Sequence, residues 1–83
     1  MDKVLVKLYI PIIEKQYDIK IPLSRKIGDA ILLIIKGINE INMDIYTPKE
    51  SPLLYNKNTG MYYDYNATIR DTDIKNGTEL ILI

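Results

Sequence analysis

The sequence predicts an α+β fold: a mixed four- to five-stranded sheet with one helix packed on one face. Three observations carry this. Two segments near the start alternate apolar and polar residues with a period of two. The next segment changes to a helical period. A last segment, residues 78–83, alternates again after a polar turn at Asn76-Gly77. With 83 residues, positions 1–83 make a single domain. A chain of this size buries only about 60–65 % of the surface its unfolded form exposes, which leaves room for one sheet and about one helix.

Residues 3–9 place Val4, Val6 and Leu8 on one side and Lys3, Leu5 and Lys7 on the other, the pattern of a half-buried strand. Pro11 cannot donate to a ladder and marks a turn. Residues 17–21 alternate again, with Tyr17, Ile19 and Ile21 inward, and Pro22 ends them, so the two segments form a hairpin. Ser24 offers an N-cap. Ile27, Ile31, Ile34 or Ile35, and Ile38 then recur at helical spacing, with Ala30, Leu32 and Leu33 widening the stripe. Such a helix is expected to be covered over much of its girth. Gly37 and Asn39 weaken its end.

Residues 42–52 form a connector, within which Asp44-Ile45-Tyr46 suits a minor strand. Residues 53–56 predict a third strand with Leu53 and Tyr55 inward and Leu54 outward. The stretch Asn56-Lys57-Asn58-Thr59-Gly60 is a turn, and Met61-Tyr62-Tyr63 leaves it as a short fourth strand. Residues 66–75 are irregular, and 78–83 are the final strand, with Leu80 and Leu82 inward and Ile81 and Ile83 outward.

Composition narrows the function. Eleven Lys and Arg balance 11 Asp and Glu, which argues against a nucleic-acid binder, since that needs a clustered basic excess. The absence of Cys excludes disulfides, a thiol nucleophile and a thiolate metal site, and the absence of His removes the commonest general base and metal ligand. No apolar stretch reaches the ~20 residues that span a bilayer, and the N-terminal run alternates like a strand and lacks a signal-peptide cleavage pattern. The expectation is a cytoplasmic protein without membrane insertion.

The 56–60 turn lacks the carboxylates and glycine position of a calcium loop. The four glycines are too scattered to cradle a phosphate. Asp64, Asp71 and Asp73 lie in loops with nothing apolar predicted around them, so capping and turn roles are expected rather than acid–base chemistry. The seven Tyr lack the basic interleaving of a base-stacking surface. No catalytic, cofactor-binding or metal-binding residue is assigned, and an enzyme is not expected.

The segment TIRDTDIKNGTELILI resembles the end of ubiquitin-like domains. Ile69, Asp71, Ile74, Asn76-Gly77 and Leu80-Ile81-Leu82 follow in the order of that family's leucine, acidic turn, isoleucine, polar turn and final strand. Residues 3–7, with a Val-x-Val core pair, resemble the family's first strand. The resemblance implies a ubiquitin-like β-grasp covering nearly the whole chain. Within that superfamily the LYNKNTG turn and the IRDTDIKNGTELILI ending look like the YukD/EsaB-type proteins of Gram-positive bacteria, encoded with type VII (WXG100/Esx) secretion systems. Ubiquitin and the sulfur carriers of this fold need a flexible Gly-Gly tail for activation, whereas this sequence ends on Ile83 within a strand. The resemblance therefore implies a non-catalytic, unconjugated adaptor or regulator with a protein partner, plausibly the secretion machinery.

Pairing the strands as in ubiquitin places Leu54, Ile81 and Ile83 together near Pro11 and Ile12, with Leu5 also outward, in an apolar protein-binding patch. Two alternatives remain: a homodimeric module joined through the sheet face, and a carrier activated at its C-terminus.

Overall fold

The computed structural model describes residues 2–42 and 51–83. Five regular elements follow in order: β1 (Lys3–Ile10), β2 (Lys15–Pro22), α1 (Ile27–Asn42), β3 (Leu54–Asn56) and β4 (Glu79–Leu82). The sheet has four strands in the order β2-β1-β4-β3. β1 pairs antiparallel with β2 over all eight residues, from Lys3 opposite Pro22 to Ile10 opposite Lys15. β4 enters parallel to β1, with Leu8 beside Leu80, and β3 runs antiparallel to β4, with Leu54 opposite Leu82.

Alternation decides the core. Val4, Val6, Leu8 and Ile10 of β1 are buried, as are Leu80 and Leu82 of β4 and Ile21 of β2. They meet Ile27, Ala30, Ile31, Ile34 and Ile38, which recur every three or four positions on one side of α1. Ile69 and Ile74, the two apolar positions of the family-like ending, close the same core from the loop before β4.

The β1–β2 connection is a 3₁₀ turn over Pro11–Ile13 that ends with Glu14 in the left-handed region, φ 52°. A second turn sets the register of β4. Gly77, at φ 88°, takes a conformation that costs a glycine little. Its N–H donates to the Leu5 carbonyl at 2.8 Å, while the Leu5 N–H donates to Asn76 Oδ1 at 2.8 Å. The Asn76-Gly77 turn is thus clipped to β1 directly before the two strands pair.

Several expectations need correction. Ser24 does not cap α1, which begins at Ile27. The first helical amides find main-chain carbonyls instead: Ile27 N–H donates to Ala67 at 2.9 Å and Gly28 N–H to Tyr65 at 3.0 Å. The loop at 65–67 therefore supplies what a side-chain cap would otherwise supply. The helix is also less covered than its composition suggests, for Leu32 is 67 % and Ile41 75 % exposed. It runs past Gly37 and Asn39 to Asn42. Met61-Tyr62-Tyr63 makes only a single bridge, Tyr62 to Tyr55, rather than a strand, so among the described residues the sheet has four strands. The expected minor strand at Asp44-Ile45-Tyr46 lies outside the described residues.

The most consequential correction concerns β3. Leu54 is fully buried and Tyr55 turns outward, so the expected phase was off by one residue. The cause is Asn56. A polar residue looked like a solvent position, yet it is 7 % exposed and faces inward because its side chain organises the following turn. Asn56 Oδ1 accepts the N–H groups of Asn58 at 2.8 Å and Thr59 at 3.3 Å, and Nδ2 donates to the Tyr63 hydroxyl at 3.2 Å.

Candidate functional site on the outer sheet face

With α1 on one side of the sheet, the other side carries the odd-numbered residues of β1 and β4 and the even-numbered residues of β2. The strand register sorts these into rows that cross the sheet. One row is apolar and aromatic: Tyr9 is paired with Ile81, and Ile81 with Tyr55. Tyr62 extends it, its ring meeting that of Tyr55 edge-on with centroids 5.4 Å apart at 85°, a favoured aromatic geometry. Tyr62 is 60 % exposed.

The adjacent row is charged. Asp18 is opposite Lys7, Lys7 is beside Glu79, and Lys57 Nζ lies 4.0 Å from Glu79 Oε2. Beyond it come Leu5 and Lys20. Charges this exposed add little to stability, but they separate Leu5 from the aromatic row.

The residues expected to form the patch are therefore only partly brought together. Ile81 lies in the aromatic row. Ile83 follows β4, its N–H and C=O both bonded to Leu53 at 2.9 Å, and it is partly exposed. Pro11 and Ile12 follow β1 at the same end of the sheet, and Ile12 is 72 % exposed. Leu5 is exposed on the same face but stands across the charged row. Leu54 is excluded from any surface patch by its burial.

Sequence reasoning missed Tyr9, Tyr55 and Tyr62 as members of this surface. For Tyr9 the signal was present, since the alternation that turns Leu5 and Lys7 outward turns Tyr9 outward too. For Tyr55 it was hidden by the phase error at Asn56.

Asp73 and Asp64 serve structural ends. Tyr63 donates its hydroxyl to Asp73 Oδ1 at 2.5 Å. Burial, followed by this bond and the Asp73 charge, pushes the Tyr63 phenol up to about 12. Asp64 Oδ1 accepts the Asn66 N–H at 2.8 Å, a local turn contact. Among the described residues no acidic cluster is placed to hold a metal ion.

This arrangement, a four-stranded mixed sheet with β4 parallel to β1 in its centre and one helix across one face, is the ubiquitin-like β-grasp. No protein-family model matches the sequence, and no curated protein matches it. Solved structures do match the fold. The ubiquitin-like domain of the Mycobacterium tuberculosis type VII secretion system protein EccD1 superposes with a TM-score of 0.78 at 13 % identity, covering 100 % of this chain and 99 % of that one. A chain of the MycP5-free ESX-5 inner membrane complex gives 0.79 at 11 % identity, covering 100 % of this chain and 21 % of its own length. A chain of toluene 4 monooxygenase HD in complex with 4-bromobenzoate gives 0.74 at 6 % identity, covering 98 % and 96 %. At these identities the likeness establishes the fold, and the settings in which it occurs differ widely.

Proposed function

We propose that this domain is a non-catalytic, unconjugated ubiquitin-like adaptor of the YukD/EsaB type, a cytoplasmic accessory component of a bacterial type VII secretion system, and that it binds protein through the outer face of its sheet. The observation that carries the reading is the row Tyr9–Ile81–Tyr55–Tyr62, with Ile83, Pro11 and Ile12 at its end. Sheets with one solvated face ordinarily make that face polar, whereas interface centres are enriched in tyrosine and poor in charge. The flanking row of Asp18, Lys7, Glu79 and Lys57 supplies the polar rim such a centre requires.

Two further facts support it. Secretion components are among the proteins that share this fold at full coverage of the chain. Among the described residues, no helix is long and apolar enough to cross a membrane, which suits a domain that docks on a membrane complex from outside the bilayer.

The test is site-specific photocrosslinking from Tyr62 in the native host, with the products identified by mass spectrometry. Adducts with secretion components that disappear in the Ile81→Asp background are the expected result. Adducts only with unrelated proteins would remove the secretion assignment. Undiminished crosslinking in that background would remove the sheet face as the binding surface.

A further inference from the structure

The two edges of the sheet are finished in different ways. β3 is three residues long and is covered by its own return: Asn56 N–H donates to the Met61 carbonyl at 3.0 Å, and Tyr63 N–H to the Leu54 carbonyl at 3.0 Å. β2 is eight residues long. Its free side can be read from β1. The Leu5 carbonyl accepts from Gly77 and the Lys7 N–H donates to Thr78 at 3.0 Å, so both residues turn their main chain toward β4. Their β2 partners, Lys20 and Asp18, therefore sit at non-bonded positions of the β1–β2 ladder and point their own N–H and C=O groups away from the sheet. Gln16 does the same by the two-residue period. Among the described residues none bonds to these main-chain groups.

We propose that this edge pairs with the β2 edge of a second copy of this chain, antiparallel and about a two-fold axis at Ile19, to make one continuous eight-stranded sheet. The side chains choose both the occupant and the register. For outward main-chain groups to meet their like, the copies can shift only in steps that set the even-numbered residues Gln16, Asp18, Lys20 and Pro22 against one another. Centring the axis on Asp18 sets Asp18 against Asp18. Centring it on Lys20 sets Lys20 against Lys20. Centring it on Ile19 sets Asp18 against Lys20 of the second copy, twice by symmetry, on the solvated face. On the helix face the same register sets Ile19 against Ile19 and Tyr17 against Ile21. Opposite charges directly across a ladder attract, and like charges repel. The alternating charges on β2 thus reject the two neighbouring registers and accept this one. Charged edges commonly guard a strand against pairing; here their order makes the guard self-complementary.

The face beneath agrees. Tyr17, Ile19, Leu33, Gly37, Ile38 and Ile41 line a groove of about 320 Å³ between β2 and α1, and Leu33 and Ile41 are exposed. In the paired arrangement α1 of each copy flanks the same two-fold axis, and the exposed Leu33 and Ile41 come under cover. Such an isologous contact closes at two copies. Both aromatic rows then face the same way on one extended sheet.

The experiment is sedimentation velocity over a dilution series on wild type, Asp18→Lys, Lys20→Asp, the double exchange, and an equimolar mixture of the two single variants. Wild type is expected to show a concentration-dependent dimer, and each single variant a dimer weaker by about tenfold or more, since both symmetric pairs become repulsive. The mixture and the double exchange are expected to recover the dimer, because each restores two opposite-charge pairs. Recovery in the mixture also shows that both variants fold. Amide exchange at Asp18 and Lys20 is expected to slow as concentration rises. A wild type that stays monomeric throughout overturns the proposal, even where the edge captures a strand of another protein. So does a dimer indifferent to both single variants, or exchange at those two amides that ignores concentration.

Discussion

The two faces of the sheet follow different rules. On the helix face every strand contributes large apolar residues to one continuous core, from Val4 to Ile10 on β1 and through Leu80 and Leu82 on β4. The opposite face is divided into rows, aromatic beside charged. A continuous apolar face is what a fold requires, and many sequences satisfy it. A divided face is not required for folding, and on the proposed function its order serves the partner the domain meets. Substitutions at matched positions on the two faces separate these demands.

The largest contrast is between neighbours on β3. Leu54→Asp places a carboxylate in the fully buried position opposite Leu82. Removing such a charge from water costs several kcal/mol, against the ~5 kcal/mol such a small domain holds, so the variant is expected to be unfolded by circular dichroism at room temperature. A folded variant would show that β3 can slip by one residue and that the face assignment is not fixed.

Next comes Ile31→Ala, a truncation on the helix where α1 meets the same core. It is expected to cost about 2–5 kcal/mol, read as a lowered urea midpoint with unchanged slope. An unaltered midpoint would mean that the core does not depend on this side of α1.

Tyr63 tests a polar intrusion into the helix face, the Asn56–Tyr63–Asp73 chain. The folded phenol is raised to about 12, above its ordinary value near 10. The folded state therefore holds this proton more tightly than the unfolded state. The resulting stability is fully present below about pH 10 and is lost as pH rises toward 12. Tyr63→Phe is expected to cost about 1 kcal/mol at neutral pH and to flatten the alkaline decline relative to wild type. Parallel declines in melts taken across that range would show that the phenol does not carry it.

The smallest stability effect belongs to the outer face. Ile83→Asp is expected to shift stability by only about half a kcal/mol while weakening protein binding. A large shift would mean that the outer face also holds the fold together.

The same contrast explains what was legible in the sequence. β1 and β4 were readable because several alternating positions agree on one phase, and Lys3, Lys7 and Glu79 mark the solvated side. β3 offered three residues after two adjacent leucines, and its polar member faces inward to serve a turn. Composition cannot show that inversion. The start of α1 was misplaced because its amides are satisfied by Tyr65 and Ala67, nearly forty positions away in sequence. The surface was half legible: Ile81, Ile83, Pro11 and Ile12 share one end of the sheet. The row through Tyr9 and Tyr55 depends on a register between strands far apart in the chain, and that register is set by Asn76 and Gly77 against Leu5.

The position of β4 has a consequence for biosynthesis. It is the last of the strands in chain order, yet it lies between β1 and β3 in the sheet. Translation proceeds at about 5–20 residues per second, so β1 leaves the ribosome roughly 4–15 seconds before the strand that pairs with its second edge. During that interval Val4, Val6, Leu8 and Ile10 are a ready substrate for chaperones that recognise extended apolar segments. Pairings this distant also slow folding once synthesis is complete. The nascent β1–β2 hairpin must wait, unsealed on one side, until residues 79–82 arrive to close it.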